Sequence, residues 1–195
     1  MGVLGYLTIG LCAAWILMER LSSAARGRSG STGGRDRLSL SFFWSALIVS
    51  IPVAVALKFL LESRGGGAGR IDLLSPFVGY LGCLVIVGGL VVRLSAIRTL
   101  GRQFTYTVSI VEDHRIVDTG IYRRVRHPSY LGTLLCLVGL GLALQNWISL
   151  IILLVVPLAA IRYRISVEEQ VLVDHFGEQY AEYCRRTKRL IPGIY

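Results

Sequence analysis

The chain has 195 residues, 53% of them hydrophobic and 17% charged, with a formal net charge of +9 and a mean hydropathy of +0.60. A soluble domain carries about 25% charged and about 45–50% apolar residues, so a water-soluble globule is excluded. So are a disordered chain, which is poor in apolar residues, and a disulfide-dense secreted scaffold.

The length fits one domain, and residues 1–195 read as a single membrane unit with three N-terminal spans in 1–92 and the chemistry in 93–195. The first apolar stretch, 1–18, is uncharged up to Glu19, and no Lys or Arg precedes it, which argues against a signal peptide. The second, 38–61, is interrupted by Pro52 and Lys58; the third, 76–92, is uncharged. A helix rises about 1.5 Å per residue and a hydrocarbon core of about 30 Å needs roughly 20 residues, so these three qualify as spans. The fourth and fifth, 131–144 and 148–161, are shorter and separated only by Gln145, Asn146 and Trp147. Pro128 suits a first helical position, which extends the fourth helix to 128–145. The fifth meets no stop signal before Gly177, which predicts a helix over 147–176 that leaves the bilayer before it ends. The expected fold is an all-α integral membrane protein of five transmembrane helices. Its last two form a helical hairpin over 128–176, and its C-terminal half forms a cytosolic cofactor pocket.

Charge placement supports that count. Eighteen of the 21 Lys and Arg residues fall in 19–37, 93–127 and the tail from 162, and three, Lys58, Arg64 and Arg70, fall elsewhere. With five spans, an outside N-terminus and a cytosolic C-terminus, the positive-inside rule is met throughout. The excess charge is then topology, and nucleic-acid binding is not expected. Gly79, Gly82, Gly88 and Gly89 in the third stretch, and Gly139 and Gly141 in the fourth, suit close helix packing in lipid. Cys12, Cys83, Cys136 and Cys184, and the three histidines, show no metal-ligand spacing. No metal and no obligate protein partner are expected, and the lack of extra domains and disulfides suits a prokaryotic inner membrane.

The remaining chemistry collects in two polar blocks, about 93–130 and 162–195. Arg164 and Glu168 are i,i+4 and share a helix face, just past the fifth apolar run. His127 and Pro128 open the fourth helix at the same level. If the two helices pair, His127, Tyr130, Arg164 and Glu168 converge on one interfacial pocket, open to the cytosol for a polar cofactor and sideways to lipid for an apolar substrate. Each residue also has a plainer reading: Arg126 and Arg164 as headgroup-seeking arginines, Glu168 and Glu169 as a solvated face, Tyr180 and Tyr183 as an interfacial aromatic belt.

Gly120-Ile-Tyr122, Arg126-His-Pro-Ser-Tyr-Leu-Gly132, Glu168-Glu169, Phe176-Gly-Glu-Gln-Tyr180 and the Pro192 terminus together resemble the isoprenylcysteine carboxyl methyltransferase family and the related phospholipid methyltransferases. The resemblance covers roughly 100–195 and implies an integral membrane enzyme that uses S-adenosylmethionine without a Rossmann fold. It implies that His114, Arg115, Ile116 and Val117 line the cofactor's adenosine side, with Tyr122 following. His127, Pro128, Ser129 and Tyr130 then form the cofactor-binding His-Pro-x-Tyr element, Glu168 is an acidic residue at the cofactor, and Arg164 lies near the substrate's reactive end. The implied acceptor is a lipophilic or prenylated molecule from the bilayer. A carboxylate nucleophile needs no base, and Arg164 would orient it by bidentate hydrogen bonds; an amine would give its proton to Glu169 or His127. Membrane sterol and enone reductases using NADPH share a similar C-terminal half, and a non-enzymatic scaffold is the third reading.

Overall fold

The computed structural model describes residues 2–24, 34–65, 68–72, 77–104 and 115–195. They form six α-helices: α1 (Val3–Ala24), α2 (Gly34–Ser63), α3 (Phe77–Leu100), α4 (Pro128–Ala143), α5 (Trp147–Phe176) and α6 (Glu178–Arg186), with short 3-10 turns at Gly101–Gln103 and Gly120–Arg123. Helices α1, α2, α3 and α5 are long and apolar enough to cross a membrane. Helix α4 has 16 residues, about 24 Å, and is apolar but shorter.

The expected boundaries of α5 hold, because Gly177, at φ 53°, ends it. Helix α4 stops two residues earlier than the predicted 145. Gln145 takes a left-handed conformation at φ 53°, which places Asn146 to cap α5 through a 3.0 Å bond that its Oδ1 accepts from the Ser149 amide. The same turn is tied to 69–71 by Trp147 N donating to Gly69 O (2.8 Å) and Ile71 N to Gln145 O (2.9 Å).

Helix α3 packs along α4, and α5 lies against both α2 and α4. The α3–α4 seam is set by glycines. A Cβ on Gly82 would sit 2.5 Å from the Gly139 carbonyl oxygen, and one on Gly89 would sit 2.7 Å from that of Gly132. Without a hydrophobic drive between helices in lipid, such backbone contact supplies the packing. Gly88 departs from expectation: a Cβ there meets nothing within 4 Å, so it faces outward. Gly132, read from the sequence only as part of a motif, is a packing residue pressed against Arg93.

The contacts give the bundle two different ends. Asn146, Ser149 and Gly69 close one. At the other, buried Arg93, Arg164, His127, Asp36 and Glu169 gather among α2–α5.

Candidate active site

Three segments build the polar end. His127 is the N-cap of α4 and Pro128 its first residue, so the missing proline N–H leaves no donor unpaired. Helix α5 supplies Arg164, Glu168 and Glu169. The tail returns beneath them: Arg126 N donates to Lys188 O (2.8 Å), Lys188 N to Arg124 O (3.1 Å) and His127 N to Arg189 O (2.9 Å).

Glu168 Oε1 accepts from the Tyr130 hydroxyl (2.5 Å) and from Arg164 Nε (3.1 Å), while its Oε2 lies 3.5 Å from His127 Nδ1. Glu169 Oε1 accepts from Arg126 Nε (2.9 Å) and lies 3.3 Å from His127 Nε2; its Oε2 accepts from Arg189 Nε (2.7 Å). Consecutive helical residues point about 100° apart, which lets the two carboxylates reach opposite edges of one imidazole. Both ring nitrogens are donors only in the imidazolium. Burial of His127 opposes its charge, but Glu168 and Glu169 outweigh it and hold the imidazole above the ordinary histidine range.

A cavity of about 80 Å³ opens here, walled by Phe43, Phe104, Tyr122, Tyr130, Arg126 and Glu168. Beside it, between α1 and α2, lies a larger groove of about 620 Å³ lined by Trp15, Phe43, Trp44, Leu47 and Ile51 and ending at Glu19, Arg93 and Thr133. Phe43 and Arg93 border both spaces.

His127, Tyr130, Arg164 and Glu168 therefore converge, as expected from their spacing. Tyr122 joins them; it is buried, and its carbonyl accepts from the Tyr183 hydroxyl at 2.7 Å. Burial pushes the Tyr122 phenol above its ordinary range. Other residues are used differently. Ser129 accepts from Arg93 Nη1 through both its hydroxyl (2.7 Å) and its carbonyl (3.0 Å). Arg115, Ile116 and Val117 are not among the residues lining the cavity; the Arg115 amide donates to Gln103 Oε1 at 3.3 Å. His114 lies outside the described residues.

The plainer readings of several side chains are corrected. Arg126 does not seek headgroups: besides Glu169, its Nη1 donates to the carbonyls of Cys184 (3.2 Å) and Thr187 (2.5 Å) at the C-terminal end of α6, where a cation complements the helix dipole. Glu169 is buried rather than a solvated face, and Tyr180 and Tyr183 pack inward rather than forming a belt. Arg164 is 1% exposed. Its Nη1 donates to the side chain and carbonyl (3.0 Å) of Asp36 and to Ser39 Oγ (2.6 Å), so it is held by α2 rather than turned to headgroups.

Reading the sequence alone missed the acids and hydroxyls that meet the buried arginines. Arg93, counted there with the basic loop, is buried on α3 and pairs with Glu19 of α1. An ionisable residue continuing an apolar run is a functional position by default, and that signal was present at Arg93. Nothing in the local sequence marks Asp36 or Ser39.

The cavity's lining mixes charges: Arg93, Arg126 and His127 stand on its wall, while the Glu168 carboxylate and the rings of Phe43, Phe104, Tyr122 and Tyr130, which favour a cation, are the part that suits the charged end of a sulfonium cofactor. Its volume is below the roughly 300 Å³ of a whole ligand pocket, so the fit concerns that end alone.

Helices of membrane-spanning length with a carboxylate–imidazole cluster at one end of the bundle describe a multi-pass membrane protein with a site built between α4 and α5. A sequence model described as phospholipid methyltransferase matches residues 77–179, just over half of the chain, and the protein belongs to that family. It is 39% identical over 120 residues to protein-S-isoprenylcysteine O-methyltransferase B of Arabidopsis thaliana, covering 60% of this chain and 61% of that one. It is likewise 39% identical over 125 residues to protein-S-isoprenylcysteine O-methyltransferase of Saccharomyces cerevisiae, covering 63% of this chain and 52% of the relative. The solved structure of the eukaryotic intramembrane Ras methyltransferase ICMT (isoprenylcysteine carboxyl methyltransferase) superposes with a TM-score of 0.59 at 27% identity, covering 78% of this chain and 52% of that one. The chain thus spans between about half and three-fifths of the length of these relatives. The family match decides between the two enzyme resemblances in favour of the methyltransferases over the reductases.

Proposed function

We propose that the protein is an S-adenosylmethionine-dependent methyltransferase acting on a lipophilic acceptor at the cytosolic rim of the membrane, with an isoprenylcysteine-type carboxylate as the preferred nucleophile. The observation that carries this reading is Glu168, held by Tyr130, Arg164 and His127 on the wall of an aromatic cavity that adjoins an apolar groove. The names of the relatives support the acceptor class.

When bound, the cofactor supplies a methyl group on a cationic sulfur. The chain's own residues bind and orient. Tyr122, His127 and Tyr130 wall the cofactor side and Glu168 balances its charge. The groove lined by Trp15, Phe43, Trp44 and Leu47 takes the acceptor's apolar tail. Alignment of two held reactants supplies much of the acceleration in a displacement of this kind.

The state of the two nominated bases favours a carboxylate over an amine. His127 lies between Glu168 and Glu169, which favour its protonated form over the free base an amine would need, and Glu169 also serves Arg126 and Arg189. An ionised carboxylate asks nothing of either. Glu169 then acts as a clasp joining α5, the start of α4 and the tail.

For topology, we propose that α4 is a fifth crossing, shortened at its ends, with the N-terminus outside and the C-terminus cytosolic, as the distribution of basic residues favours.

The test is calorimetric titration of the detergent-purified protein with S-adenosylhomocysteine, followed by mass spectrometry of an S-isoprenylcysteine and of a lipid extract incubated with deuteromethyl-labelled cofactor. Micromolar binding and label on the isoprenylcysteine are expected. Absence of binding overturns the proposal, and label on a phospholipid amine alone overturns the acceptor class.

A further inference from the structure

Arg164 is held at both ends of its guanidinium by different helices. On one side Nε donates to Glu168 Oε1 at 3.1 Å, within α5. On the other, Nη1 donates to Asp36, through its carboxylate and its carbonyl, and to Ser39 Oγ, both on the first turns of α2. Ser39 is itself fixed by its hydroxyl donating to Asp36 O at 2.9 Å. All three are buried: Asp36 4%, Ser39 0% and Arg164 1% exposed. The family match begins at residue 77, so these partners come from outside the matched segment.

We propose that Asp36 is a positioning residue for the site: it fixes the Arg164 guanidinium and offsets its charge, so that Glu168 keeps its negative field for the cationic end of the methyl donor.

Electrostatics makes the point concrete. A single arginine bound to a single glutamate is a neutral pair whose field falls off steeply. Glu168 faces both the Arg164 guanidinium and the His127 imidazole, so Asp36 matters by adding a second carboxylate to the guanidinium, and in a buried setting that added negative charge is felt over several ångströms. Geometry points the same way. A free arginine side chain has many rotamers, and the charge-assisted bond to Asp36 removes the freedom that would let Nε leave Glu168. Asp36 does not line the cavity itself. Its effect on ligands therefore passes through Arg164.

This inference rests on the methyltransferase reading, and the experiment separates the two. The dissociation constants of S-adenosylmethionine, a sulfonium cation, and S-adenosylhomocysteine, its neutral thioether, are measured by calorimetry on the full chain. The variants are Asp36→Asn, Arg164→Gln and the double substitution. If the wild type binds neither compound, the methyltransferase reading fails. Given wild-type binding, Asp36→Asn is expected to lower the preference for the sulfonium by about threefold or more while the thioether affinity stays within about twofold. A loss of general packing would move both affinities together, and an unchanged ratio overturns the proposal. With the guanidinium gone, a carboxylate this buried takes its neutral form, so adding Asp36→Asn to Arg164→Gln is expected to leave the ratio where Arg164→Gln put it. A further fall overturns the proposal too. That comparison stands by itself should the single Asp36→Asn variant fail to fold, since the double variant removes the buried ion pair as a unit.

Discussion

Arg93 and Arg164 are two buried guanidiniums at the same end of one bundle, and each is neutralised by an acid from a helix outside the family-matched segment: Glu19 of α1 and Asp36 of α2. They differ in where their remaining donors go. Arg93, although it borders the cavity itself, ends on neutral groups of α4, the Ser129 carbonyl and hydroxyl and Thr133 Oγ1, so it ties helices together. Arg164 ends on Glu168, a wall of the cavity, and so passes its charge to the site. The same side chain is a staple in one place and an electrostatic support in the other, and the second partner decides which.

The largest test of that contrast is Arg93→Ala. It strands Glu19 beside an apolar groove, and breaking a buried pair costs roughly 3–5 kcal/mol. Denaturant titration in detergent should show a loss of this size, with much of it restored in a Glu19→Gln/Arg93→Leu double variant. A loss below about 1 kcal/mol would mean the pair is not a staple.

The staple crosses a seam that glycines hold shut. A Cβ on Gly139 would lie 2.6 Å from the Gly82 carbonyl oxygen, so Gly139→Ala should destabilise by about 1–3 kcal/mol through overpacking. Outward-facing Gly88→Ala serves as the control and should stay within about 0.5 kcal/mol; similar effects at both positions would remove the seam from the account.

At the opposite end of the bundle there is no buried arginine among the described residues, and Asn146 caps α5 instead. Asn146→Ala should cost about 1 kcal/mol in the same titration and leave S-adenosylhomocysteine binding unchanged. A binding defect would show that the two ends are coupled.

The subtlest effect is one of pH. Folding raises the affinity of His127 for its proton. Its stabilising contribution is therefore complete below the unfolded histidine pKa of about 6.5 and disappears as pH rises through the higher folded value. The stability gap between wild type and His127→Gln should narrow from about pH 6 upward; a gap that widens would mean the ring is neutral in the fold.

Much of the architecture was legible because burial in lipid writes itself into composition. Runs of apolar residues marked the helices, Pro128 the start of α4 and Gly177 the end of α5, each by a local rule about backbone donors or φ. Part of the site was legible for the same reason: Arg164 and Glu168 share a face by helical period, and His127 and Tyr130 share the first turn of α4. The stop of α4 before Gln145 was not, since it depends on how the turn meets Gly69 and Asn146.

Sequence by itself determined the apolar helices, the start of α4, the end of α5 and the cluster's membership on α4 and α5, because helix period and hydropathy act over a few residues. Only the tertiary structure decided which acid meets which arginine. Asp36 and Arg164 stand 128 positions apart, and no periodicity links them. A buried guanidinium must find its counter-charge in space, so Asp36 shows its role only once α2 lies against α5.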